Sequence, residues 1–212
     1  MKSNNNNNKN KLNLFIDFDN TIVDTTDAAV KIYNNYFNTN INSLDIENYS
    51  MEPFISLNEK ERSDLFCKDS LYEILKPFDN VHNILKNLRD SNLFNKIYLV
   101  TNCSAKSIPH KIKWLKDNNF DNLFDGKLYL DVNQGYNKSM INMSNSILID
   151  DHRENHLTSN AKYKLSFQYD KRKQNWGPEP QDGVIVFRKW DNGIYYYLEH
   201  IAKSYSGKYA KS

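Results

Sequence analysis

The sequence predicts a doubly wound α/β fold: a parallel sheet with helices on both faces, carrying a small helical insertion after the first strand. Three observations predict it. Short apolar runs that read as strands alternate with stretches whose apolar residues recur at helical spacing. Residues 24–76 hold helical patterns and nothing that reads as a confident strand. Polar clusters stand at three strand ends, Asp17/Asp19, Thr101/Asn102 and Asp150/Asp151. In an open parallel sheet these ends lie along one edge, where ligands bind.

Residues 1–11 are a Ser/Asn/Lys tract with no apolar side chain after Met1, read as a disordered leader. Leu12–Asp17 is a buried strand that runs into Asp17-Phe18-Asp19-Asn20-Thr21. Alone, that stretch favours an ordinary Asp/Asn turn, because two close carboxylates are expensive to hold unless a cation or a shared proton separates them. From Ala29 to Phe37 the period becomes helical, with Thr25 or Thr26 as N-cap. Weaker helical patterns follow at 58–66 and 70–75. Pro77 marks a break, and Val81, Ile84, Leu85 and Leu88 form a helical stripe behind Asp79 or Asn80.

Lys96–Thr101 is the second strong strand, ending in Thr101-Asn102-Cys103-Ser104. Ser107 and Pro109 start a helix that buries Ile108, Ile112 and Leu115, with Trp114 on or beside that face. Lys127–Leu130, Ser146–Ile149, Tyr163–Gln168 and Val184–Phe187 read as the remaining strands, and Ile194–Ala202 as a closing helix. The expected division is a core of 12–23 and 77–212 interrupted by a helical cap at 24–76.

The 28 basic and 26 acidic residues nearly balance, which argues against a nucleic-acid partner or a membrane-surface role. No run reaches the length of a membrane span. Two cysteines, Cys67 and Cys103, are too few for a disulfide framework and fit a cytoplasmic setting. His110, His152, His156 and His200 lack metal-ligand spacing and read as surface or helix positions. Cys103 reads as a small buried thiol, Tyr195-Tyr196-Tyr197 as packing, and Lys171-Arg172-Lys173 as a solvated loop.

Taken in order, Asp17-Phe18-Asp19-Asn20-Thr21, Thr101, Lys138 and Leu148-Ile149-Asp150-Asp151 resemble the four motifs of the haloacid dehalogenase (HAD) superfamily of phosphatases. The likeness extends from about Leu12 to Asp151 and implies the HAD-like Rossmann-type core with its cap. Lys111-Ile112-Lys113-Trp114-Leu115, Leu75-Lys76-Pro77, Phe167-Gln168-Tyr169-Asp170 and Trp190-Asp191 are similar to landmarks of the 5′(3′)-deoxyribonucleotidase group. Asn20 stands where many members have Gly; Asn tolerates left-handed backbone, so the turn can survive.

The resemblance implies Asp17 as nucleophile and Asp19 as general acid and base. It implies Mg²⁺ held by the Asp17 carboxylate, the Asp19 backbone carbonyl and a motif-four acid, Asp151 in preference to Asp150, with Asn155 matching a later polar position. Thr101, Asn102 and Lys138 would hold phosphate oxygens. The implied substrate is a small phosphate monoester, a nucleoside or deoxynucleoside 5′-monophosphate. The alternatives are a general sugar or polyol phosphatase and a non-catalytic HAD-fold binding module. Oligomeric state is open, a homodimer included.

Overall fold

The computed structural model describes residues 11–207, so all but Lys11 of the expected leader lies outside the described residues. Six strands form one parallel sheet: β1 (Asn13–Ile16), β2 (Ile97–Cys103), β3 (Gly126–Asp131), β4 (Ser146–Asp150), β5 (Tyr163–Phe167) and β6 (Ile185–Phe187). Their order is β3-β2-β1-β4-β5-β6, which places β1 at the centre. Ile16 is level with Leu99 of β2 and Ile149 of β4, so the residues just beyond it on all three strands emerge together. This is where strand order reverses, the place at which open α/β sheets form crevices.

Side chains alternate across the sheet. Leu14, Ile16, Leu99, Ile147, Ile149, Leu165 and Phe167 join the main core, which also takes in the apolar faces of the helices. Those helices are α1 (Thr25–Phe37), α2 (Glu59–Leu65), α3 (Asp69–Ile74), α4 (Val81–Asp90), α5 (Ile108–Asp117) and α7 (Asn192–Tyr205). Phe15, Val100 and Leu148 face the other way into a smaller cluster with Met143 and Ala161. The short α6 (Arg153–Thr158) follows β4.

The chain leaves the sheet and returns through one narrow ribbon. Val23 bridges Pro77, the Phe78 amide donates to the Ile22 carbonyl at 2.9 Å, and the Asp24 amide donates to the Lys76 carbonyl at 3.0 Å. Between these crossings lie α1, α2 and α3.

The N-cap of α1 is Asp24, whose carboxylate accepts from the Asp27 amide, and not Thr25 or Thr26 as expected. Both threonines are diverted into the turn after β1: the Thr25 hydroxyl donates to Asp19 at 2.9 Å and the Thr26 hydroxyl to Asn20 at 2.9 Å. Asn20 is left-handed, with φ 52°, so Asn does supply the backbone conformation that a glycine would.

Candidate active site

Asp17 follows β1 directly, and its amide donates to the Ile149 carbonyl at 2.9 Å. The Lys138 ammonium, on the 3-10 turn Lys138–Met140, lies 2.5 Å from Asp17 Oδ1 and 2.5 Å from Asp150 Oδ2. Asp150 Oδ1 accepts from Asn155 Nδ2 and the His152 amide, both at 2.9 Å. Asp151 Oδ2 accepts from the Trp176 indole N–H at 2.6 Å. One carboxylate oxygen from each of Asp17, Asp150 and Asp151 falls within 4.8 Å of the others.

All three acids and Lys138 are buried. Three carboxylates face one ammonium, and the imbalance registers in their ionisation. Burial drives Asp17 up to about 7; Lys138 opposes this, while Asp150 and Asp19 add to it. Asp151 is pushed well above the usual carboxylate range by burial and then by Asp150 and Asp17. For Asp150, burial is outweighed by Lys138, with help from His156 and Asn155, and its carboxyl is held low. Lys138 is raised, because Asp150 and Asp17 together outweigh its own desolvation. The cluster is therefore short of positive charge, and its donors are all oxygens. That set suits a hard divalent cation such as Mg²⁺.

Asp19, two residues on, lives in different surroundings. Its Oδ1 accepts from the Thr25 hydroxyl; its Oδ2 accepts from the Thr101 hydroxyl at 3.2 Å and is ion-paired with Lys111. The Lys111 ammonium also donates to Thr101 Oγ1 at 2.9 Å and sits 4.6 Å from the centre of the Phe18 ring. Asn102 reaches the acid cluster indirectly, its Nδ2 lying 3.4 Å from Asn155 Oδ1. Its own Oδ1 is buried without a hydrogen-bond partner among the described residues. So every residue singled out from the sequence lies at this edge, in two linked groups. One is Asp17, Lys138, Asp150 and Asp151; the other is Asp19 and Thr101, with Asn102 joined through Asn155.

The sequence reading gave Lys111 no role at the site. A signal was present: Lys111 is three and four residues before Trp114 and Leu115, hence on the face of α5 that buries them. The structure overturns the solvated-loop expectation for Arg172 and divides the tyrosine run. Arg172 is not part of a solvated loop; it is buried, and its guanidinium donates to Asp24 at 2.6 Å and to the Ser43 carbonyl at 3.1 Å. Of the tyrosine run, Tyr195 packs against the main core as expected, whereas Tyr196 is 62% exposed and stands edge-on to Tyr195. His156 is a helix position as expected but fully buried, with Nε2 3.1 Å from the Asp150 carbonyl.

No family model matches this chain, and no curated protein matches it. Solved structures do. A HAD family hydrolase from Deinococcus radiodurans, with bound phosphate and sodium, superposes with a TM-score of 0.59 at 11% identity, over 93% of this chain and 97% of that one. The chain has the HAD-like fold. YfnB from Bacillus subtilis, assigned as a HAD-hydrolase and bound to magnesium, matches at 0.58 and 14% identity, over 90% of this chain and 99% of that one. A haloacid dehalogenase-like hydrolase from Streptococcus pneumoniae matches at 0.54 and 16% identity, over 88% and 99%. In the HAD-like fold of this chain, the acid cluster lies where β1 and β4 end side by side.

Proposed function

We propose that the protein is a Mg²⁺-dependent phosphomonoesterase that works through an aspartyl-phosphate on Asp17. The observation that carries this reading is the inequality of two acids only two residues apart. Asp17 belongs to a buried, cation-deficient cluster, whereas Asp19 is held by Thr25, Thr101 and Lys111 outside it.

An Asp17 oxygen attacks phosphorus and the ester P–O bond breaks. Asp19 gives its proton to the departing alkoxide, then takes one from the water that hydrolyses the acyl phosphate, releasing phosphate and restoring Asp17. Lys138, Thr101 and Asn102 hold phosphoryl oxygens, with Lys111 beside them. Mg²⁺ would be held by the Asp17 carboxylate, the Asp19 carbonyl and Asp151. Asp150 is less available, since Lys138, Asn155 and the His152 amide already occupy its oxygens. When bound, the ion screens Asp17 from the charge of the phosphate it approaches.

The substrate we propose is a nucleoside or deoxynucleoside 5′-monophosphate. Residues 24–76 act as the cap over the site, and Tyr49 from that segment supports an aromatic substrate. The residue is 60% exposed, and its ring stands edge-on to His152, the neighbour of Asp151, with centroids 4.6 Å apart. The free cysteines Cys67 and Cys103 support a cytoplasmic setting.

Purified protein with Mg²⁺ is expected to release phosphate from at least one 5′-nucleotide in a panel of ribo- and deoxyribonucleotides and sugar phosphates. Asp17→Asn should bring release to background. Turnover of sugar or polyol phosphates alone would replace the substrate assignment, and no turnover of any ester would overturn the enzyme.

A further inference from the structure

We infer that Trp176 is a positioning residue for Asp151, and that it is delivered to that task by a strap tying the core to residues 43–48. The inference rests on the metal-site reading above. Asp151 is gripped at two points from one side. Its carboxylate takes the Trp176 indole N–H, and its backbone carbonyl accepts from Gln168 Nε2 at 2.7 Å. Gln168 is itself pinned, donating to Ser166 Oγ and accepting from Gln174 Nε2. Gly177 leaves the room for this: a Cβ there would come within 2.3 Å of the Gln168 amide.

The residues just before Trp176 are bonded to the inserted segment. Arg172 donates to the Ser43 carbonyl, and the Lys173 amide to the Leu44 carbonyl at 3.2 Å. The Asn175 amide donates to the Glu47 carbonyl at 2.9 Å, and its side chain to Asn48 Oδ1 at 2.9 Å. Trp176 therefore stands at the end of a short segment that the insertion holds in place. Unlike Asp17 and Asp150, Asp151 has no lysine at hydrogen-bond distance among the described residues. The indole N–H is what keeps one of its oxygens engaged and so orients the other. Partners of metal-binding carboxylates placed in this way typically matter by about 10- to 100-fold in metal affinity.

Trp176→Phe removes the N–H and keeps an aromatic ring. Calorimetric titration with Mg²⁺ should show binding weakened about 10-fold or more in this variant. Trp114→Phe, which loses an equivalent hydrogen bond to the Leu75 carbonyl, should bind as wild type does. If the enzyme reading holds, saturating Mg²⁺ should recover most of the lost kcat. Equal Mg²⁺ affinity in wild type and Trp176→Phe would overturn the inference and leave the enzyme reading standing. No Mg²⁺ binding by wild type would overturn both. A second measurement does not depend on the folding of Trp176→Phe. The chain has 3 tryptophans, so ¹⁵N spectra of wild type carry one indole signal for each, assignable with Trp114→Phe and Trp190→Phe. The Trp176 signal should shift on Mg²⁺ addition, and a stationary signal at saturation would overturn the inference.

Discussion

Lys138 is 1% exposed, and its ammonium contacts two buried carboxylates, so replacing it probes the site without any reference to turnover. Lys138→Met leaves Asp17 and Asp150 facing each other uncompensated. Breaking a buried ion pair by removing one partner costs on the order of 3–5 kcal/mol. Urea denaturation in EDTA should therefore show a large loss of stability, and Mg²⁺ should restore part of it. Asn20 offers a finer test. It is left-handed, and its Oδ1 accepts from both the amide and the hydroxyl of Thr26. Asn20→Ala forfeits both bonds and adds about 1–2 kcal/mol of backbone strain, whereas Asn20→Gly forfeits the bonds alone. Melting temperatures should fall in the order wild type, Gly, Ala, with the Gly variant keeping the Asp17–Asp19 geometry and its activity.

Among the elements, the tie between α1 and the loop after β5 is the most exposed to mutation. Asp24 caps α1 and also receives the Arg172 guanidinium, a side chain with no exposed surface. Arg172→Met should lower stability by on the order of 3 kcal/mol and make residues 25–76 the first to be cut in limited proteolysis. Nothing local announces this pair: Lys-Arg-Lys looks like any solvated charge run, and its acid lies 148 residues away. The central strands β1, β2 and β4, by contrast, were legible because a buried parallel strand needs a short apolar run and little else. Helix starts were less so. Asp24, Thr25 and Thr26 can all cap a helix, and only the turn after β1, which claims both hydroxyls, leaves the role to Asp24. Most of the candidate site could be read from the sequence because Asp17, Asp19, Thr101, Asn102, Asp150 and Asp151 stand at strand ends, whereas Lys138 comes from a 3-10 turn and was marked by the family likeness. Trp176 could not, since it reaches Asp151 from a loop of no regular period.

For the whole molecule, the buried acids make stability depend on pH in an unusual direction. Asp17 is raised in the folded, metal-free protein from an ordinary value of 3.8 to about 7, and Asp151 is raised as well. Between those values the folded state binds more protons than the unfolded one, so stability falls as pH rises. In EDTA, the melting temperature should climb as pH is lowered from 7.5 towards 6.5; below that, His152 and His156, which burial holds below the ordinary histidine value, resist protonation and oppose the trend. On the proposed reading Mg²⁺ takes the ionised carboxylates, so at saturation this trend should flatten, and the stabilisation by Mg²⁺ should be greatest at the higher pH. At 100 times its dissociation constant the ion contributes about 2.7 kcal/mol. A melting temperature that is insensitive to both pH and Mg²⁺ would count against the charge-deficient cluster.

The ribbon joining Ile22–Asp24 to Lys76–Phe78 has a consequence for how such a protein can change. Both ends of the inserted segment are stitched to each other where they leave the sheet, so the segment's length is decoupled from the spacing of the strands. Doubling a loop closed in this way adds only about 0.6 kcal/mol of closure entropy. If the insert is the cap proposed above, substrate preference can then be rewritten by trading one insert for another, while the acids at the strand ends stay where they are.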